Sequence, residues 1–222
     1  MKKIRYAPAS RVWIAGTIVA AGIVFSPFAF PENAVQEPVN LAFTLTDTTD
    51  RTKAQNSNEE KKRAAESKAA FADAYKVFMH PRCMNCHPSG DAPLQGDKST
   101  IHTMNVQRGP DGKGLFAMKC KNCHQDANLE GEHLPPGIET WHLPTAQRPM
   151  VFQGKTPRQL AMGFKDSAFT GFKDIHRLVE HVETDHLVLH SFTYGTRPPL
   201  NHKDFVARVK EWIDKGAELP DK

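Results

Sequence analysis

The sequence contains few cysteines, and none stands alone. All four lie in two five-residue runs, Cys83-Met84-Asn85-Cys86-His87 and Cys120-Lys121-Asn122-Cys123-His124. Because no cysteine remains outside these runs, the chain has no further thiols from which a disulfide framework of a small exported protein could be built.

The sequence also lacks any long stretch in which apolar and polar residues alternate. That absence disfavours a sheet-based fold and predicts a mainly helical chain with much irregular structure. The 222 residues are enough for one domain of ordinary size and a leader. A hydrophobic fraction of 39% suits a small globular protein that can still enclose an apolar group.

The chain has almost no net charge outside its N-terminus. Its formal charge of +4 equals the contribution of four basic residues in the first 30, where no acidic residue occurs; they are Lys2, Lys3, Arg5 and Arg11. The remaining basic and acidic residues balance, so the chain lacks the long-range positive field that attracts nucleic acid. Nucleic acid is therefore excluded as a partner.

An apolar run from Val12 to Phe30 follows these basic residues. This order at the extreme N-terminus is typical of an exported protein. No small-x-small cleavage site is clear, and the run is close to the roughly 17 to 25 residues that span a bilayer. Residues 1–31 are therefore predicted to be a signal peptide or an N-terminal membrane anchor. The protein is expected in the periplasm, either soluble or tethered to the inner membrane through residues 12–30.

Composition divides the rest of the chain into two parts. Residues 32–57 are rich in Thr, Asp, Asn, Gln and Pro, which predicts a flexible linker before a single domain over residues 58–222. Ser57 and Glu60 resemble a capping box, and the apolar residues after them recur at helical spacing. A helix is therefore predicted from about residue 58 to 79. The residues on its apolar face are Phe71, Ala74, Tyr75 and Phe78.

Three further helices are predicted after a long irregular middle. Residues 88–149 are crowded with Gly, Pro, Asp and Asn, which indicates extended loops that need a group to pack against. Residues 156–159, Thr-Pro-Arg-Gln, have the pattern of a capped helix start. Another helix is predicted over about residues 172–183. The last helix should be capped by Asn201 and ended by Gly216.

The two cysteine runs predict covalent attachment of two haem c groups. A c-type haem needs two thiols that add across its vinyl groups and an imidazole directly after the second thiol. Zinc sites and disulfides do not require that histidine, and a thioredoxin-like motif would require a βαβ pattern that is absent. With 11 histidines in 222 residues, chance would place one after both cysteine pairs roughly once in 400 sequences. The predicted attachment residues are Cys83, Cys86, Cys120 and Cys123.

The motifs also predict ligands of the haem irons. His87 and His124 are the expected proximal ligands. Candidates for the distal ligands are His102, Met104 and His142, which lie in loops that follow a motif by about 15 to 20 residues. Between His102 and Met104, histidine is preferred, because a methionine ligand would more often come from a loop later in the chain.

Other histidines and methionines are weaker candidates. His133 and His181 are held in reserve. Met162 lies within the predicted helix after Thr156, and His176 lies opposite the apolar face of its own helix, so both are disfavoured. His80 lies only three residues before the first motif, which is too near to reach across its own haem.

The order of the predicted elements resembles class I cytochromes c over residues 71–216. In that family an N-terminal helix leading to C-x-x-C-H packs against a C-terminal helix, which corresponds here to Tyr75 and Phe78 against Phe205 and Trp212. The resemblance implies class I cytochrome c-like helices with long loops wrapped around two covalently bound haems. A second haem motif so soon after the first departs from the single-haem pattern.

Three short segments resemble a more specific group, the bacterial dihaem cytochromes. They are His-Pro-Arg-Cys at 80–83, Met-Asn-Val-Gln-Arg-Gly at 104–109 and Trp-His-Leu-Pro at 141–144. Some cytochromes of that group are named alongside isoquinoline 1-oxidoreductase-type molybdenum enzymes. The resemblance implies electron transfer, with a periplasmic dehydrogenase or another cytochrome as redox partner.

Two haems in one small domain predict the passage of single electrons rather than catalysis. If both irons carry two protein ligands, no position is open to a substrate. The alternative is a small dihaem enzyme, peroxidase-like or an oxidase, with one open haem and histidines as acid–base groups. Dihaem peroxidases resemble two full cytochrome domains, for which this chain is too short. A gas-binding haem module is a third possibility.

Overall fold

A computed structural model of the chain describes residues 41–132 and 134–222, with side-chain burial from residue 51 onward. The predicted leader, residues 32–40 of the linker and His133 lie outside these ranges. Residues Leu45–Lys222 form one compact unit, to which the described residues 41–44 do not belong. In the described ranges, no helix combines the length and the apolar character needed to cross a bilayer.

The chain is mainly helical, as predicted. Among the described residues, four strands of two residues each pair as two antiparallel hairpins, which lie between the second and third helices. The helices are α1 (Leu41–Phe78), α2 (Pro81–Met84), α3 (Pro157–Lys165), α4 (Ser167–Thr170), α5 (His176–Thr184), α6 (His186–Ser191) and α7 (His202–Asp214). The strands are β1 (Leu94–Gln95), β2 (Thr100–Ile101), β3 (Gly114–Leu115) and β4 (Met118–Lys119).

Helix α1 is longer than predicted. It begins at Leu41 rather than near residue 58, so residues 41–57 are helical and the prediction of a flexible linker is wrong there. Ser57 accordingly lies inside the helix and does not cap it. Residues 51–63 are exposed on all sides, so no apolar face marked this part as helical in the sequence. Backbone hydrogen bonding extends the helix beyond the part that packs.

Aromatic side chains of α1 and α7 form the centre of the core. The ring centroids of Phe71 and Trp212 are 4.6 Å apart, and those of Phe78 and Phe205 are 5.0 Å apart. All four rings are almost fully buried, and burial of one such side chain stabilises the fold by about 2 to 3 kcal/mol. The expected contact between the N-terminal and C-terminal helices is found for Phe78, which packs against Phe205. Tyr75 instead donates its hydroxyl hydrogen to the Lys155 carbonyl (2.7 Å).

Helix starts and stops follow their local signals. Thr156 and Gln159 form the predicted capping box, and the Asn201 side chain accepts a hydrogen bond from the backbone of Asp204 (2.9 Å). Gly216 follows α7 with φ +111°, a conformation that glycine adopts without strain. Helices α2, α4 and α6 were not predicted, because four to six residues are too few to show a hydrophobic period.

The loops between α2 and α3 are held together by contacts to backbone carbonyl groups. Arg108, only 1% exposed, donates from Nη1 to the Pro144 carbonyl (2.9 Å) and from Nη2 to the Gly90 carbonyl (3.0 Å). At Gly112, a Cβ atom would lie 1.9 Å from the carbonyl oxygen of Leu143, so only glycine fits there. These contacts fix the loops that carry the second cysteine pair and several of the predicted ligands.

Candidate functional site

The first cysteine pair lies on a single helical turn. The backbone N–H of Cys86 donates to the Cys83 carbonyl (3.2 Å), and that of His87 donates to the Met84 carbonyl (3.0 Å). Side chains three residues apart on such a turn point to the same side. Cys83, Cys86 and His87, termed site 1 below, therefore face one space together.

Site 1 faces a cavity of about 320 Å³. Some aromatic rings of the core line this cavity, and α3, α5, α6 and α7 all contribute to its wall. Most of the wall is apolar, as in pockets that bind flat organic groups. The apolar side chains include Phe78, Phe152, Phe164, Phe172, Leu178 and Phe205.

His87 is fixed in orientation and in protonation state. Its Nδ1–H donates to the Met150 carbonyl (2.8 Å), and the ring of Phe152 stacks on the imidazole with centroids 3.8 Å apart and an interplanar angle of 6°. Burial lowers the pKa of His87 to about 3, so the ring is neutral at physiological pH. Its Nε2 therefore keeps a lone pair that can bind a metal.

The thiols of site 1 are not poised as nucleophiles. Burial raises the pKa of Cys83 to about 12 and that of Cys86 to about 11, so both are protonated at neutral pH. Reactive or redox-active cysteines have lowered pKa values, whereas the pKa values of Cys83 and Cys86 are raised. Both thiols remain partly accessible because they line a cavity wall, and neither is joined in a disulfide.

The second cysteine pair lies on a 3₁₀ turn, Cys120–Asn122, directly after the β3–β4 hairpin. Cys123 and His124 both donate their backbone N–H to the Cys120 carbonyl, at 3.2 and 2.9 Å. The hairpin is tight, since a Cβ atom at Gly114 would lie 2.3 Å from the carbonyl oxygen of Met118. Cys120, Cys123 and His124 are termed site 2.

Site 2 faces a second cavity, of about 350 Å³. Loops and hairpins supply most of its wall, whereas helices of the core surround the cavity of site 1. Its lining is again mainly apolar and aromatic, and includes Pro93, Leu94, Met118, Trp141, Leu143 and Tyr194. Both cysteine pairs thus open onto spaces of similar size and similar chemistry.

His124 repeats the environment of His87. Its Nδ1–H donates to the Pro136 carbonyl (2.7 Å), and the ring of Trp141 stacks on it with centroids 4.0 Å apart and an interplanar angle of 10°. Burial also lowers the pKa of His124. A neutral imidazole, a backbone acceptor at Nδ1 and a parallel aromatic ring are therefore common to both sites.

His102 lies close to His124 at site 2. The ring centroids of the two imidazoles are 6.3 Å apart. The Nδ1–H of His102 donates a hydrogen bond to the Thr103 carbonyl (2.8 Å). Nε2 of each ring is then available to a ligand. Met104 also lines this cavity, but it is 69% exposed and has a φ of +62°.

Besides His87, two histidines line the cavity of site 1, His142 and His181. Both act on His87 electrostatically, and His181 lowers the pKa of His87 more than His142 does. His181 Nδ1 lies 3.5 Å from a carboxylate oxygen of Asp185. The hydrogen bond from His181 is the main reason that the pKa of Asp185 falls to about 2. A histidine oriented by a carboxylate is a common arrangement beside metals.

The two cavities share part of their wall. Arg82 and Cys86 line both of them. The thiol of Cys120 lies close enough to raise the pKa of Cys86, after the larger effect of burial. Any groups held by the two cysteine pairs would therefore be neighbours.

The structure brings the six motif residues to two cavities, together with all three distal candidates. His102 and Met104 lie at site 2, His142 lies at site 1, and the reserve residue His181 joins it there. The disfavoured Met162 and His176 line neither cavity. Arg82 lies in the His-Pro-Arg-Cys segment at 80–83, but the sequence assigned it no role. Phe152 and Tyr194 belong to no motif, and their places at the two sites are visible only through their contacts.

Comparisons with known proteins do not identify a family. No protein-family model, curated protein or solved structure matches the chain. The functional conclusion therefore rests on the chemistry of the two sites.

Proposed function

We propose that the protein is a periplasmic electron-transfer protein that holds one haem c at site 1 and another at site 2. The observation that carries this proposal is the repetition of one arrangement in two different surroundings. At each site two thiols on one turn and a neutral, stacked imidazole face an apolar cavity. Thiols so placed can form thioether bonds to haem vinyl groups, while the imidazole binds iron.

The spacing of the imidazoles at site 2 fits an iron between them. A histidine nitrogen binds a transition metal at about 2 Å, and its ring centre lies roughly 1 Å farther away. Two imidazoles on opposite sides of one ion then have ring centres about 6 Å apart. The 6.3 Å between His102 and His124 supports His102 as the distal ligand.

At site 1, we favour His181 as the distal ligand, with His142 as the alternative. The carboxylate of Asp185 lies beside Nδ1 of His181 and leaves Nε2 for the iron. Asp185 is itself held by the backbone N–H of Leu187 (2.9 Å), where it caps α6. His142 instead contacts a neighbouring backbone carbonyl, that of Thr140 (2.5 Å).

Electron transfer accounts for more of this geometry than catalysis does. Haem, when bound, supplies a one-electron step between ferrous and ferric iron. The histidines of each site would hold the iron, the apolar walls would exclude water, and the stacked rings of Phe152 and Trp141 fix the orientation of His87 and His124. The shared wall at Arg82 and Cys86 supports exchange of electrons between the two sites. Redox partners of the proposed kind are a periplasmic dehydrogenase or another cytochrome.

Spectroscopy of the purified protein, made in a host that attaches haem c, tests this function. We expect two haems per chain, low-spin spectra in both oxidation states and no change on adding carbon monoxide. A haem fraction that is high-spin and binds carbon monoxide would contradict two closed sites and favour the small dihaem enzyme. Absence of haem would contradict the proposal as a whole.

Single substitutions assign the distal ligands in the same experiment. His102→Ala should make one haem high-spin, and His181→Ala should make the other high-spin. His176→Ala is the matched control, because His176 is exposed and lines neither cavity. If His142→Ala rather than His181→Ala changes the second haem, His142 is the ligand at site 1.

A further inference from the structure

Arg82 is a buried cation in the wall that the two cavities share. Its side chain is only 7% exposed, although it carries a full positive charge, and it lines both cavities. A buried charge is costly unless it is paired and hydrogen-bonded. Neither cysteine motif requires an arginine at this position, so its placement needs another explanation.

The neighbouring chain is shaped around the guanidinium group. Its carbon lies 4.9 Å from the ring centroid of Tyr194, a favourable cation–π distance. Gly195 has a φ of +57°, and a Cβ atom there would lie 2.9 Å from that same carbon. A side chain at this position would displace the guanidinium group and would hold a left-handed backbone conformation.

The charge of Arg82 is only partly neutralised. Nη2 pairs with Asp97, which also accepts a hydrogen bond from the Thr196 hydroxyl (2.6 Å). The Asp97 side chain is 48% exposed, so water screens its effect on the interior. Nε of Arg82 is buried and has no hydrogen-bond partner. A buried donor without an acceptor is destabilising, which points to an acceptor in the adjoining space.

We propose that Arg82 donates a hydrogen bond from Nε to a carboxylate at the edge of a bound haem and that its charge raises the reduction potential of both haems. The inference rests on the proposed function. Ferric haem carries one more positive charge than ferrous haem, so a nearby buried cation favours the reduced form. Because Arg82 lines both cavities, its charge acts on the potentials of both haems. The negative charge of Asp97 opposes this effect.

Two substitutions with opposite expected signs test the proposal in the dihaem protein. Arg82→Met should lower both potentials, with a tenfold shift of each reduced-to-oxidised ratio, equal to about 59 mV for one electron. Asp97→Asn should raise both potentials by a smaller factor, about threefold in the ratio. Arg82→Lys, which keeps the charge, should shift the ratios less than Arg82→Met does.

Two controls separate charge from structure. Arg208→Met removes an arginine that is partly exposed and paired with Glu211 on α7, and it should leave both potentials unchanged. Thr196→Val removes a hydrogen bond to Asp97 without changing any charge, and it should also leave both reduction potentials unchanged. The potentials are measured by spectroelectrochemical titration of each haem.

The outcomes separate this inference from the proposed function. A shift at only one haem, at neither haem, or in the same direction for Arg82→Met and Asp97→Asn would overturn the role assigned to Arg82. If Arg82→Met does not incorporate two haems, Asp97→Asn decides, since unchanged potentials in that variant also overturn it. Wild-type protein without two reversible haem couples would instead contradict the proposed function.

Discussion

Sites 1 and 2 place one arrangement of residues in two different surroundings. Site 1 opens into the aromatic core, whereas loops and short hairpins enclose site 2. Site 1 is the more deeply buried of the two. Burial lowers the pKa of His87 to about 3, whereas Cys123 of site 2 is exposed. The local arrangement therefore does not depend on the scaffold. A five-residue turn, a backbone acceptor and one aromatic ring suffice, and the scaffold sets only how deeply the site is buried.

The largest expected difference concerns stability. Replacing Cys83 and Cys86 by serine would remove the proposed covalent link to a haem in the cavity of site 1. We expect a loss of more than about 3 kcal/mol in the free energy of unfolding, because the core is then left with an open cavity. The same replacement of Cys120 and Cys123 should cost about half as much. Chemical denaturation followed by circular dichroism measures the loss of stability in both double variants. An equal or larger loss at site 2 would contradict the deeper burial of site 1.

The stacked aromatic rings provide a second test. Phe152→Ala should lower the free energy of unfolding by about 3 kcal/mol, since Phe152 is only 4% exposed. Trp141 is half-buried, so Trp141→Ala should cost about 1 to 2 kcal/mol. Thermal unfolding of the two variants gives the difference. Met162→Ala, at an exposed position, is the control and should have little effect.

The two haems should also differ in reduction potential. Burial disfavours the extra charge of ferric haem, so the haem at site 1 should have the higher potential and that at site 2 the lower. Potentiometric titration of the wild type should therefore resolve two one-electron steps. In the Cys120→Ser, Cys123→Ser double variant, the step at lower potential should be lost or displaced. Loss of the higher step instead would reverse the assignment.

The smallest expected effect is a pH dependence at the turn before site 2. The carboxylate of Asp111 accepts a hydrogen bond from the backbone of Lys113 (3.0 Å), and this bond is the main reason that its pKa is lowered. A carboxyl group with a lowered pKa in the folded state contributes stability above its ordinary pKa, near 4. That contribution is lost as the pH falls through the folded-state value.

Asp111→Asn removes this titration. Wild-type protein should therefore lose slightly more stability than the variant between pH 5 and pH 3, as measured by denaturant unfolding at each pH. A pH dependence identical in the two proteins would contradict the assignment. The full exposure of the group keeps the expected difference small.

The sequence was sufficient to predict those features that depend on neighbouring residues. The capping box at Thr156, the cap at Asn201 and the stop at Gly216 are local hydrogen-bonding patterns, and all three are confirmed. Helix α1 was predicted only from about residue 58, because hydrophobic periodicity reports burial rather than helix length. Its exposed residues 51–63 show no such period.

Features made by distant contacts were not visible in the sequence. Met150 and Phe152 follow His87 by more than 60 residues, and nothing in their local pattern marks them as its partners. The position of His181 beside site 1 depends on how α5 and α6 meet at Asp185. The shared position of Arg82 likewise arises only when the loops enclose site 2 next to site 1.

Mass spectrometry of the exported protein after proteolysis tests the central claim most directly. Peptides that contain residues 83–87 and 120–124 should each carry one covalently attached haem, with both cysteines of each pair converted to thioethers. Free thiols or disulfides in both peptides would contradict the account. Haem on only one peptide would show that the two sites do not share the function proposed for them.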